Sequence, residues 1–205
     1  MHKIKSWFFL LIFLASIGLI CIGCSFEGKK PSSEENYNQL LTSFHQNGEY
    51  VFENLPWLIS RQEVLKRKQQ NDSSVENTDF LKIEGSFPLT SSSLKKTVVY
   101  RFSDDQFVSG EYLFSTHDKN RFIEFCNKLK SHLSESLAEP YANDLSVLEQ
   151  AGDINAHGKS VAWEGKDRSI LKVNLLTDTQ QNSEMMYILQ IKSSAPLPER
   201  KGLAP

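Results

Sequence analysis

Hydrophobic and polar positions follow three patterns along this chain, and the first is a long apolar run near its start. Lys3 and Lys5 precede the run, and residues 6–26 contain no charged side chain. A basic start followed by an apolar run is typical of an export signal, because the lysines stay cytoplasmic while the run enters the bilayer. The run also approaches the roughly 20 residues that span a bilayer as a helix, so an uncleaved membrane anchor is the alternative.

The second pattern is helical. Apolar residues recur every three or four positions in one segment, which predicts an amphipathic helix; they are Phe122, Cys126, Leu129, Leu133 and Leu137. Thr116 or Asp118 is placed to cap the start of this helix, and Pro140 enforces its end. A short helix is predicted over residues 37–45, and another begins with the capping box Ser60–Glu63.

The third pattern is the alternation of apolar and polar residues that is typical of β-strands. Apolar side chains share one face in residues 97–102 and again in 107–114, and the polar turn 103–106 between them predicts a hairpin. Further strands are predicted at 80–87, 160–163, 169–176 and 185–191. The order helix, three strands, helix, three strands predicts an α+β fold, an antiparallel sheet with two main helices packed on one face. The same order permits an αβββ pseudo-repeat.

These patterns divide the chain into four segments. Residues 1–23 are interpreted as a signal peptide, and the polar residues 24–36 as a flexible tether. Residues 37–192 are predicted to form a single α+β domain. The remainder, 193–205, contains three prolines and no periodicity, which predicts a disordered or loosely attached tail.

The end of the apolar run carries a recognisable motif. Ile22-Gly23-Cys24-Ser25 resembles the bacterial lipobox, in which small residues precede a cysteine that is diacylated before cleavage. Gly23 fits the position before the cysteine, whereas Cys21 stands where that family usually has leucine. The resemblance implies removal of residues 1–23 and acyl chains such as palmitate on Cys24. It also implies a lipid-anchored protein of the cell membrane or outer membrane that faces outside the cytoplasm, since two or more chains give lasting attachment.

Charge and cysteine content narrow the classes of partner. The formal net charge is −2, from 23 basic and 25 acidic side chains; loss of Lys3 and Lys5 with the signal peptide leaves 21 against 25, or −4. A mildly acidic chain without a basic stripe argues against nucleic acid as a partner. Cys126 would be the one unmodified cysteine of the mature chain, so no internal disulfide is available. Its place on the apolar helical stripe predicts buried packing and not a nucleophile.

Residues of the predicted domain also resemble a known group. Phe52-Glu53-Asn54-Leu55-Pro56-Trp57, followed by Ser60–Val64, resembles the opening of a group of uncharacterised exported bacterial domains, although Leu58 replaces their usual glycine. Tyr100-Arg101-Phe102 and Trp163 match strands of the same group. The layout is similar to the β-lactamase-inhibitor-protein-like fold, shared with a small lipoprotein of the outer-membrane assembly machine. The resemblance implies a fold and a role in binding, and it implies no catalytic residue.

Candidate chemistry is sparse. The histidines beyond residue 24 are too widely separated for metal-ligand spacing; they are His45, His117, His132 and His157. No phosphate-binding glycine loop or nucleophile motif occurs. Asp104-Asp105 at the hairpin tip are interpreted as solvated turn residues, residues 91–93 as loop, and Trp57 and Trp163 as core. No catalytic residue, metal or cofactor is predicted.

The sequence therefore favours a membrane-tethered, non-catalytic binding or scaffold lipoprotein. Its expected partners are the membrane, through lipid on Cys24, and another envelope protein. Two alternatives stay open. A lipid- or small-solute-binding lipoprotein would require a cavity between helices and sheet. An exported hydrolase would require a site assembled from scattered residues.

Overall fold

The computed structural model of the chain describes residues 32–70, 79–90, 92–179 and 184–196. The helices in these ranges are α1 (Ser33–Phe44), α2 (Arg61–Arg67), α3 (Lys119–Ser136) and α4 (Ser146–Glu149), with a short 3₁₀ turn at Ile154–Ala156. The strands are β1 (His45–Gln46), β2 (Glu49–Tyr50), β3 (Phe80–Pro88), β4 (Ser93–Ser103), β5 (Gln106–Thr116), β6 (Ser160–Glu164), β7 (Ile170–Thr179) and β8 (Met185–Ser194).

Six of the strands form one open antiparallel sheet in the order β3-β4-β5-β8-β7-β6, and β1 pairs with β2 in a separate two-stranded sheet. The predicted α+β class with an antiparallel sheet is confirmed. The strand order reads as two meanders placed back to back, and their last strands, β5 and β8, pair at the centre of the sheet. A helix followed by three strands thus occurs twice, which is the αβββ layout that the sequence permits.

The hairpin of β4 and β5 shows how local sequence fixes the register. Asp104 and Asp105 form its two-residue turn, with φ of 49° and 63°. Two left-handed residues in such a turn match the right-handed twist of the flanking strands, and aspartate tolerates that conformation. The strands extend beyond the predicted 97–102 and 107–114 because backbone pairing continues past the last apolar residue, from Lys95↔Ser115 to Ser103↔Gln106.

The helices pack on one face of the sheet, as predicted; we call it the helix face, and its side chains include Val98, Tyr100, Tyr112, Phe114, Leu171, Val173, Leu189 and Ile191. Phe125 of α3 contacts Phe114 at 4.9 Å and Phe87 at 5.6 Å between ring centroids, and Tyr37 of α1 stacks on Phe125 at 5.9 Å. All four rings are buried. Each buried aromatic side chain contributes about 1.5–3 kcal/mol through loss of apolar surface, so these rings hold both helices against the sheet.

Capping side chains set where the helices begin. The Ser32 hydroxyl accepts the Glu35 N–H at 3.2 Å, so α1 begins at Ser33, inside the stretch 24–36 that the sequence assigns to a tether. The Ser60 cap is confirmed, since its hydroxyl accepts the Glu63 N–H at 3.3 Å. Asp118 caps α3 by accepting from the Asn120 and Arg121 N–H groups. These bonds satisfy N–H groups that a helix leaves unpaired in its first turn.

The predicted domain limits shift slightly in the described residues. Strand β8 runs to Ser194, two residues past the predicted end of the domain at 192, because its last residues pair with β5 and β7. The predicted signal peptide, Cys24 and most of the predicted tether lie outside the described residues, as do residues 197–205 of the predicted tail. Those predictions stay predictions.

Candidate functional site

The face of the sheet opposite the helices is the first candidate site, and we call it the open face. Side chains alternate between the two faces of a strand, so the strand register assigns to it Lys82, Glu84, Val99, Arg101, Glu111, Leu113, Lys172, Asn174, Leu176, Met186, Ile188, Gln190 and Lys192. Most of these side chains are polar or charged and partly exposed. This face therefore combines a solvated surface with a regular backbone beneath it.

A buried carboxylate lies at the centre of the open face. Only 2% of the Glu111 side chain is exposed. It accepts hydrogen bonds from Arg101 Nε at 2.5 Å and Gln190 Nε2 at 2.8 Å, and Lys192 Nζ lies at 3.4 Å. Burial acts to raise the pKa of Glu111, but the bonds from Arg101 and Gln190 and the nearby cations hold it below its ordinary value. The carboxylate is thus charged and ties β4, β5 and β8 together.

Two lysines face each other beside this carboxylate. Lys172 of β7 is directly opposite Lys192 of β8 in the antiparallel register. Like charges placed directly opposite each other destabilise a strand pair. Lys192 has Glu111 as a counter-charge, whereas Lys172 is exposed and has no ion-pair partner among the described residues. Together with Arg101, the two lysines leave an excess of two positive charges over Glu111.

Apolar side chains form a stripe next to this basic centre. Leu113, Leu176, Met186 and Ile188 are each partly exposed on the open face. Ile188 pairs with Leu176 across β8 and β7, and it lies one pleat along β8 from Gln190, which pairs with Leu113. Partly exposed apolar side chains bordered by polar and charged ones are common in protein–protein contact surfaces.

A second cluster of charged groups lies under the helices, around Glu53. The Glu53 carboxylate accepts hydrogen bonds from Lys68 Nζ and the Tyr100 hydroxyl, and Tyr112 Oη lies 3.1 Å from its Oε1. Burial acts to raise the pKa of Glu53, and the bonds from Lys68 and Tyr100 outweigh it, so the pKa lies below its ordinary value. Burial and the Glu53 charge raise the pKa of both tyrosines. Lys96 lies nearby, with Nζ 4.5 Å from the Tyr112 ring centroid.

The backbone around Glu53 explains how it reaches this cluster. Glu53 and Asn54 have φ of 50° and 58°, and the Leu55 N–H donates to the Phe52 carbonyl at 3.0 Å. Two successive left-handed residues are rare outside glycine, and such strain persists where the surroundings fix it. The buried Phe52 ring holds the residue that precedes Glu53 in place here, because it packs against Gly110, where an added Cβ would be 2.1 Å from the ring.

A cleft opens beside this cluster, between α1 and strands β3–β5. Its volume is about 330 Å³. The residues that line it are mostly polar and include Asn36, Gln39, Ser43, Glu53, Lys96 and Tyr112. The sequence hypothesis of a solute-binding protein required a cavity between helices and sheet, and this cleft lies there.

The residues that the sequence singled out fall in different places. Cys126 and Trp163 are buried as predicted, and burial raises the pKa of the Cys126 thiol. Trp57 is partly buried and stacks on Phe107 at 5.0 Å. Asp104 and Asp105 are exposed turn residues. Among the described residues, no group of three or more His, Cys, Asp or Glu side chains is arranged to hold a metal ion.

The charged residues of both candidate sites were missed at the sequence level. The inward direction of Lys96 could have been predicted. Side chains two residues apart in a strand lie on the same face, and Lys96 precedes Val98 and Tyr100 at that spacing. The burial of Glu111 could not have been predicted, because it also depends on Gln190, a hydrogen-bond partner that is 79 positions away.

The fold and both candidate sites define an open antiparallel α+β domain with a basic open face. No family model, no curated protein and no solved structure matches the chain. None of the helices in the described part of the chain has the length and apolar character needed to cross a bilayer.

Proposed function

We propose that this protein is a membrane-tethered envelope lipoprotein that binds an acidic surface of another envelope protein through its open face. The observation that carries the proposal is the pairing of Lys172 with Lys192 beside the apolar stripe. A directly opposed lysine pair costs stability, and departures from such local rules concentrate at functional sites. A partner that presents carboxylates would remove this repulsion and cover the stripe.

Charge distribution supports an acidic partner. The chain has a net charge of −2, or −4 without residues 1–23. At the centre of the open face, however, Arg101 and Lys192 contact Glu111 and Lys172 lies opposite Lys192, so this part of the surface has a local excess of positive charge. Complementary potentials favour both the rate and the register of association. The proposed envelope location rests on the lipobox-like residues around Cys24, and a tethered domain meets other membrane-attached proteins at a high effective concentration.

Site-specific photo-crosslinking in living cells tests this proposal. A photoreactive phenylalanine analogue at Leu176, on the open face, is expected to give one discrete crosslinked protein, whereas the same analogue at the exposed Asn127 of α3 gives none. Lys172→Glu is expected to reduce the yield from position 176 at least about fivefold, because it places like charge against the acidic partner. The crosslinked protein, identified by mass spectrometry, should have an acidic exposed segment at the crosslink.

Lys66→Glu is the matched control. Lys66 is exposed on α2, so its reversal changes the net charge equally without touching the open face. It should leave the yield from position 176 unchanged. Equal crosslinking from positions 127 and 176, or equal loss with both charge reversals, would contradict docking through the open face.

A further inference from the structure

We propose that the cleft between α1 and strands β3–β5 binds a small oxyanionic solute, a carboxylate or a phosphate, and that Lys96 is the cation that holds it. This site lies on the helix face, away from the proposed protein-binding surface. The experiment below therefore tests this proposal independently of the proposed function.

The first argument is the state of the Lys96 ammonium. An ammonium group has three N–H donors, and those of Lys96 have no hydrogen-bond acceptor or ion-pair partner among the described residues. Its one described contact is with the ring face of Tyr112, at 4.5 Å. Burial lowers the pKa of Lys96, and the charge of Glu53 offsets this in part. A half-buried cation without acceptors is costly, and a bound oxyanion would supply them.

The second argument is that other donors line the same cleft and are also unused. The side-chain amides of Asn36 and Gln39, from α1, have no hydrogen bond within the described ranges. The Asn36 side chain is largely buried, at 9% exposure, whereas Gln39 is exposed at the edge of the cleft. The Asn36 amide of α1 and the Lys96 ammonium of β4 therefore line one cleft with N–H groups that can donate to the oxygens of a bound anion.

The third argument concerns charge and size. Both oxygens of Glu53 are engaged, by Lys68 and Tyr100 on one side and by Tyr112 on the other. With two lysines against one glutamate, the cluster has a net charge of +1, which favours an anion over a cation. A volume of about 330 Å³ is near the lower end of the range for ligand pockets. The polar lining suits a small hydrophilic solute.

Isothermal titration calorimetry of the detergent-solubilised full chain tests this site. Inorganic phosphate, acetate and succinate are titrated separately, against sodium chloride at matched ionic strength. We expect saturable one-to-one binding of at least one of the three, and the phosphate and carboxylate titrations distinguish the two chemistries. Lys96→Met should weaken that binding by about 10- to 100-fold, the usual effect of losing a hydrogen bond to a charged group.

Lys95→Met is the matched control, because Lys95 is the preceding residue of β4 but points to the other face, where it pairs with Glu84 at 3.1 Å. It should leave the affinity unchanged. If Lys96→Met fails to fold by circular dichroism, Asn36→Ala decides: it should weaken binding about 3- to 10-fold, since it removes a neutral hydrogen bond. Absence of saturable binding for all three anions, equal weakening by Lys95→Met and Lys96→Met, or full affinity in Asn36→Ala would overturn the proposal.

Discussion

Replacing Phe114 by alanine is expected to lower the free energy of unfolding by about 3–5 kcal/mol, the usual loss for a large buried aromatic side chain. The Phe114 ring is fully buried and lies 4.9 Å from Phe125 of α3 and 5.2 Å from Phe87 of β3, between centroids. Its removal leaves a cavity where a helix meets the sheet, and Phe125 and Phe87 both lose their contact with the Phe114 ring. Urea denaturation of the detergent-solubilised protein, followed by tryptophan fluorescence, measures the change.

Leu113→Ala is the matched control, one residue along the same strand. Leu113 is partly exposed on the open face, so its truncation should cost only about 1 kcal/mol. A loss for Leu113→Ala equal to that for Phe114→Ala would mean that the two faces of β5 are equally covered. That outcome would contradict the assignment of an open face.

Replacing Glu53 by glutamine is expected to lower the free energy of unfolding at pH 7 by about 2–3 kcal/mol. This is less than the loss for a fully buried pair, because 19% of the Glu53 side chain is exposed. Glutamine keeps the shape but removes the counter-charge of Lys68 and Lys96. The cost of the uncompensated ammonium groups outweighs the hydrogen bonds that the amide retains.

The effect of Glu53→Gln should also depend on pH in a defined direction. The pKa of Glu53 in the folded protein lies below its ordinary value of 4.5, so the carboxylate stabilises the fold fully above that value and loses this effect as the pH falls through the folded pKa. The difference between wild type and variant should therefore be largest at pH 7 and shrink below about pH 4.5.

Glu63→Gln serves as the comparison for Glu53→Gln. Glu63 forms an exposed i,i+4 pair with Arg67 on α2, so its substitution should cost about 0.3–0.5 kcal/mol. If both glutamine variants lost the same stability, or if the loss for Glu53→Gln did not change with pH, the buried carboxylate would not hold the cluster together.

Much of the fold could be predicted from the sequence, because the elements that bury most surface have the clearest periods. Helix α3 was predicted from its apolar stripe, and the six strands of the main sheet from alternation or short apolar runs. The start of α1 was missed because Tyr37 is its first large apolar residue, whereas the helix begins at a polar cap, Ser32. The β1–β2 hairpin was missed because two-residue strands are too short to alternate.

The candidate sites could be predicted only in part, since they depend on which strands are neighbours. The opposition of Lys172 and Lys192 follows from the β7–β8 register, which no single strand reveals. The burial of Glu111 requires side chains from β4 and β8. Lys96 could be assigned to the helix face by alternation, but its unused donors become visible only when α1 is placed over the sheet.

The proposed binding of an envelope protein depends on attachment of this domain to the membrane through lipid on Cys24. Intact-mass analysis of the membrane-extracted protein tests this attachment most directly. We expect a chain that begins at Cys24, with residues 1–23 removed and with added mass equal to a diacylglyceryl group or a triacylated cysteine. A Cys24→Ala variant should lack that mass. A chain that retains residues 1–23 with an unmodified cysteine would contradict lipid anchoring, and recovery of the protein from the cytosol would contradict the envelope-binding role.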